Sequence, residues 1–141
     1  MAHYAELGVD NIVKRVLYID TIKCMTNGGI EKEELGVAYL QENHGGTWVK
    51  CSWNTSSNVH LQGGTPFRGN YPGVGWKYDE FLDGFIPPQP YRTWVVNETT
   101  GDWEPPVARP ADDVTKGGNV VYKWNSVANN WENKGSPGTQ P

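Results

Sequence analysis

The chain has 141 residues, 12 Lys and Arg against 16 Asp and Glu, a net charge of −4 and a pI near 5.3. This is one domain's worth of chain, and its scattered basic residues offer no face to a run of phosphates, so nucleic acid is not an expected partner. The longest nearly uncharged apolar stretch, Val16 to Ile22, is broken by Asp20 and is far too short to span a bilayer, so no membrane insertion is expected. Leu, Ile, Val and Phe together make only 28 of the 141 residues, while seven Trp and seven Tyr make up the difference. Seventeen Gly and ten Pro are too many for a helical bundle. The expected class is mainly β with a minor helical part, built from short antiparallel strands and serial hairpins.

In chain order, Met1–Glu6 lacks the basic region and following apolar block of a secretory signal, and folding in a cytoplasm is expected. His3–Leu7 and Asn11–Ile19 are β-type runs, and Gly8-Val9-Asp10-Asn11 between them is turn chemistry, which predicts a hairpin. A helix is predicted over 31–44: Glu31, Glu33 and Glu34 suit the positive end of a helix dipole, and Val37, Leu40 and either Ala38 or Tyr39 form an apolar stripe. Gly45-Gly46 stops it, and Gly36 inside it costs helix propensity. Trp48–Trp53 reads as a strand and Asn54–Pro66 as a long polar loop.

The second half carries a repeat. Asp79, Asn97 and Asn125 each follow a β-type residue and each precede an aromatic by six positions: Phe85, Trp103 and Trp131. An Asp or Asn opens a turn by accepting hydrogen bonds from nearby backbone, and the aromatic then starts the return strand, so three hairpins in series are predicted. Pro87-Pro88-Gln89-Pro90 and Pro105–Pro110 read as stiff, extended connectors, with service as PxxP ligands the alternative. The expected organisation is one β-rich domain over residues 1–134: hairpin, helix, strand and loop in 1–66, then a motif segment and three hairpins in 67–134. Residues 135–141 are an expected flexible tail.

Chemistry is sparse. Asp79 with Asp83 and Asp112 with Asp113 are carboxylate pairs in turn-forming segments, where Asp has a structural reason to be. No serine sits in a Gly-x-Ser-x-Gly context, and Gly73-Val74-Gly75 is too short for a dinucleotide fingerprint. His3, His44 and His60 have no metal-ligand spacing, and Cys24 and Cys51 read as reduced thiols in or near the core rather than a disulfide. No catalytic residue, metal or cofactor is expected. The tryptophans read first as core; Trp53 and Trp76, beside a Gly-rich segment, are the expected exceptions, and exposed aromatics among Asn, Asp and Gln would suit sugar rings.

Phe67-Arg68-Gly69-Asn70-Tyr71-Pro72-Gly73-Val74-Gly75-Trp76-Lys77-Tyr78-Asp79, followed by Phe85-Ile86-Pro87-Pro88-Gln89-Pro90-Tyr91, resembles a motif of small virion structural proteins of tailed phages, above all marine phages and cyanophages. Trp94, Asn97 and Trp103–Pro106 follow at that family's spacing, and Asp10–Val13 and Trp48-Val49 resemble its opening hairpin and post-helix strand, so the likeness runs from about residue 2 to about 131. The chain departs from the pattern by an insertion over Thr55–Pro66 and by Trp53 and Trp76 where tyrosine is common. The resemblance implies a non-enzymatic particle component located in the virion and assembled in the host bacterial cytoplasm. Its partners would be other virion proteins, the major capsid protein foremost, and copies of itself. A capsid decoration or cement protein fits the small acidic β-rich composition; a tail, neck, baseplate or fibre part and a carbohydrate-binding adhesin module are the alternatives. The partner-contact candidates are Phe67, Arg68, Asn70, Tyr71 and Trp76, Arg68 meeting an acidic partner group and Tyr71 anchoring. The alternative for this stretch is a buried loop in which Arg68 bonds backbone carbonyls.

Overall fold

A computed structural model of the chain describes residues 1–136, and the fold is mainly β with one α-helix. Two compact units divide it: Met1–Pro88 with Asn97–Asp102, and Gln89–Val96 with the chain from Trp103 onward. No helix among the described residues is long and apolar enough to cross a membrane.

In the first unit β1 (Ala2–Leu7) pairs antiparallel with β2 (Val13–Ile19), as the β-branched runs predict. The turn between them places Asp10 and Asn11 at positive φ, a conformation that these two residue types tolerate best after glycine. The helix α1 is Glu33–His44, two residues shorter at its start than expected; Glu31 instead forms a bridge with Met25. Its Glu33 and Glu34 sit in the first turn, and Gly45 ends it at a φ of 68°. Strand β3 (Thr47–Cys51) pairs with the other side of β1, giving a sheet of order β2-β1-β3.

Side chains alternate across this sheet, and both faces are covered. On one face Ala2, Tyr4, Ile19, Cys24, Leu40 and Trp48 form a core against α1, with Val37 and Tyr39 packed on it. On the other, Ala5, Leu7, Val13, Cys51 and Phe85 form a second core with Tyr71, Trp76 and Tyr78. This explains why β1 is buried almost continuously rather than at every other residue. Each core holds one free, buried cysteine, so the two thiols lie on opposite sides of the sheet. Gly36 faces Tyr4, whose ring and hydroxyl occupy the space a Cβ there would need. The helix gives up propensity at Gly36 so that the tyrosine can lie against its backbone.

The stretch read as a polar loop contains a small hairpin, β4 (Thr55–Ser56) with β5 (Val59–His60). The next hairpin, β6 (Lys77–Asp79) with β7 (Gly84–Ile86), lies against the second core through Phe85 and Tyr78. Backbone bonds from Val13 to Trp76 (2.7 Å) and from Gly75 to Val13 (2.9 Å) tie its approach segment to the outer edge of β2. The first break between the compact units therefore falls at Pro88 and Gln89.

The second unit holds β8 (Val95–Val96) paired with β9 (Trp103–Glu104) and β10 (Tyr122–Asn125) paired with β11 (Asn130–Asn133). All three predicted hairpins of the repeat form, and each opens on the predicted residue. Asp79 Oδ1 accepts from Leu82 N (3.0 Å), Asn97 Oδ1 from Thr99 N and Thr100 N (2.8 and 3.1 Å), and Asn125 Oδ1 from Val127 N and Ala128 N (3.0 and 2.9 Å). Of the expected tail, Gly135 accepts a bond from Val121 N at 2.8 Å, while residues 137–141 lie outside the described residues.

Candidate functional site

Arg68 of the segment Phe67–Asp79 lies at a φ of 51° and turns its guanidinium inward. It forms a two-pronged pair with Glu33 at the start of α1: Nη1 donates to Oε2 at 2.8 Å and Nη2 to Oε1 at 2.9 Å. Nη1 also donates to the carbonyl of Lys50 (2.8 Å), and Nε to Asp83 Oδ1 (2.9 Å). Lys50 N donates in turn to Glu33 Oε2 at 3.0 Å. The ion pair thus takes the place of a neighbouring strand at the outer edge of β3, answering both the N–H and the C=O of Lys50. The guanidinium lies 4.7 Å from the ring centre of Phe67 and 5.7 Å from that of Tyr78. Burial works against its charge, but the bonds and charge of Glu33, with Asp83, outweigh burial and hold Arg68 above its ordinary pKa.

The other motif residues are also engaged within the first unit. Asn70 is buried; its side chain accepts from Ser57 N (2.8 Å) and donates to Phe85 O (3.0 Å), joining the β4–β5 turn to β7. Tyr71 packs on the second core and meets the His3 ring edge-on at 5.6 Å. Phe67 N donates to the buried Thr55 hydroxyl at 3.0 Å. Trp76 is half-buried against the second core, which corrects its expected exposure; Trp53 is exposed as expected. All five candidates are thus engaged within the first unit. Tyr78 donates to Asp83, and burial together with that bond pushes its phenol up to about 12. Burial likewise pushes the Cys51 thiol up to about 12, so it is no nucleophile near neutral pH.

The most exposed large apolar side chains sit at turns. In the first unit Val9, in the β1–β2 turn, is 85% exposed and Phe81, in the β6–β7 turn, is 92% exposed. The two turns are neighbours, because Asn11 Nδ2 donates to Glu80 Oε1 at 3.2 Å. In the second unit Val127, in the β10–β11 turn, is 98% exposed. Phe81 and Val127 each lie between the Asx residue and the return aromatic of the repeat, so the sequence held the signal for them.

A second arrangement lies wholly in the second unit. Trp94, Trp124 and Trp131 meet edge to face, with ring centres 5.3 to 6.0 Å apart, and Tyr91 stands 5.2 Å from Trp94. An open cavity of about 370 Å³ lies over these rings, with Arg109, Tyr122 and Lys123 completing its wall. Arg109 stacks 4.3 Å from the centre of Trp131 and is held by Asp113 at 3.0 Å. The buried Asp113 carboxylate also accepts from Thr115 N and Oγ1 and from Tyr122 N. The bonds from Thr115 lead in holding it well below the usual carboxylate range. Trp131 Nε1 donates to Val107 O at 2.8 Å, but Trp94 Nε1 and Trp124 Nε1 are buried and meet no acceptor among the described residues. Each such group costs about 1–3 kcal/mol. The repeat made Trp124 and Trp131 legible as a pair; which indole lacks an acceptor depends on packing that no local pattern encodes.

Among the described residues no group of three or more His, Cys, Asp or Glu is placed to hold a metal. No protein-family model, curated protein or solved structure matches the chain.

Proposed function

We propose that the protein is a non-enzymatic structural component of a tailed-phage virion, a decoration protein that binds the capsid shell in many copies. The observation that carries this is the pairing of Val9 and Phe81 on adjacent turns, both almost wholly exposed and linked by Asn11 and Glu80. Two large apolar side chains held out on neighbouring turns offer a partner a surface to cover. Burying each against a partner is worth about 1.5–3 kcal/mol before the cost of association. A small contact of that size suits a protein held on a repeating shell. Because Arg68, Asn70 and Tyr71 serve the fold, the motif shapes the unit and the turns make the contact. This moves the contact away from the motif and onto the turns of the same unit.

Quantitative mass spectrometry of purified particles tests the reading together with Phe81→Ser. A copy number in proportion to the shell subunits, lost in the Phe81→Ser variant while the isolated protein stays folded, is the expected result. A handful of copies per particle would place the protein in the neck, tail or baseplate instead, and absence from particles would end the virion reading.

A further inference from the structure

An open cavity of about 290 Å³ lies in the first unit beside Trp53, just past the end of β3, and the exposed turns make no use of it. We propose that this cavity binds one neutral sugar residue of a glycan, stacked on the Trp53 indole.

Trp53 is 51% exposed and makes no hydrogen bond or ring contact among the described residues. An indole held half in water beside a cavity is an apolar platform with a free N–H at its edge. Phe67 also lines the cavity, but Lys50 Nζ lies 5.7 Å from its ring centre, so Trp53 is the free platform. The rest of the wall is polar. Lys50 Nζ donates to Glu31 Oε1 at 2.8 Å, which engages one carboxylate oxygen and one of the ammonium's three donors, so an acceptor and donors stand side by side. Thr21 adds a hydroxyl and His3 an imidazole. Burial lowers the pKa of His3, so at neutral pH its ring is uncharged and holds one donor and one acceptor.

Charge and shape select the occupant. Glu31 and Lys50 are in contact and opposite in sign, so a free anion or cation meets one charge that attracts it and another that repels it. A purely apolar ligand would cover the carboxylate and the ammonium without answering either. A nucleobase suits the indole, but its phosphates meet Glu31 and a chain of net charge −4. A neutral pyranose meets each feature: its flat C–H face lies on the indole, while the hydroxyls around its edge donate to Glu31 and accept from Lys50. The volume is at the small end for a ligand pocket, which suits a single ring with the rest of the glycan left outside.

The test uses the full chain with nitrogen-labelled indoles, titrated with maltohexaose, cellohexaose, mannohexaose and N-acetylchitohexaose and followed by the seven indole N–H signals. The Trp53 signal, assigned from Trp53→Phe, should move and saturate with at least one of these sugars at a Kd of about 1 mM or tighter, while those of Trp94, Trp124 and Trp131 stay. Saturation transfer from protein to sugar reads the variants. Trp53→Ala, at a side chain half in water, should keep the circular dichroism of the parent and weaken binding about tenfold or more. Glu31→Gln, which keeps the shape and removes the charged acceptor, should weaken it about tenfold. If Glu31→Gln disturbs the fold, Trp53→Ala alone decides. A sugar site is excluded if none of the four sugars moves the Trp53 signal, or if Trp53→Ala binds as tightly as the parent. It is equally excluded, in favour of a nucleotide site, if adenosine monophosphate moves the signal and the sugars do not.

Discussion

Replacing Arg68 by alanine separates a scaffold arginine from one reserved for a partner. Its side chain is 15% exposed and that of Glu33 31%, so the pair is neither a surface pair worth a few tenths nor a fully buried one whose breakage costs 3–5 kcal/mol. Losing hydrogen bonds to a charged group at this depth costs about 1.5–3 kcal/mol, and losing the stacking on Phe67 and Tyr78 adds about 0.5–1 kcal/mol. Alanine at φ 51° gains nothing from the backbone, so the expected loss is about 3 kcal/mol, a large share of a small unit's stability. Urea unfolding measures it, and hydrogen exchange at the Lys50 amide, which Glu33 accepts, reports whether the edge of β3 opens. Arg68→Lys should recover less than half, because an ammonium cannot answer Glu33 with two prongs and Lys50 O together. In a double-mutant cycle with Glu33→Gln the coupling should be about 1–2 kcal/mol. A loss below about 0.5 kcal/mol with unchanged Lys50 exchange would refute the edge-cap argument and return Arg68 to the pool of free contact residues.

Gly36→Ala should destabilise the first unit despite alanine's helix advantage of about 1 kcal/mol, because the new methyl overlaps the Tyr4 ring and hydroxyl; thermal melting should show a net loss of about 1–3 kcal/mol. A rise in melting temperature would show that Tyr4 can move aside. Asp113 sets an acid limit on the second unit. Its folded pKa is lowered, so its contribution is present above the unfolded value near 3.9 and is lost as pH falls below that. Near-ultraviolet circular dichroism of the tryptophans should therefore fade below about pH 4, whereas Asp113→Asn should be weaker at pH 7 and flat across that window.

The parts of this fold that were legible in the sequence are the ones decided within a few residues. Asp79, Asn97 and Asn125 open their turns through their own side chains, so their spacing to Phe85, Trp103 and Trp131 was enough to place three hairpins. Val9 to Asn11 and Gly45 were similarly local. What the sequence hid depends on partners far along the chain. Glu33 and Arg68 are 35 positions apart, and nothing near either names the other. Gly36 looked like a cost to the helix until Tyr4, 32 positions earlier, filled the gap it leaves. Trp76 was expected to be exposed because its neighbours are glycines, but those glycines let the backbone run beside β2 and carry the indole onto the second core. The break after Pro88 likewise follows which sheet the β6–β7 hairpin packs on, a contact between segments far apart in the chain.

The shortage of aliphatic residues has a different consequence in each unit. In the first, a three-stranded sheet covered on both faces turns few aliphatics into two cores, with Tyr4, Trp48 and Phe85 filling the volume that leucines would take. The second has two short hairpins, which alone are marginal in water, and relies on three indoles and the Asp113 hub. Two of those indoles keep an N–H buried without an acceptor among the described residues, a cost of about 1–3 kcal/mol each, so the unit's stability rests the more heavily on the Asp113 hub that holds Arg109 against Trp131.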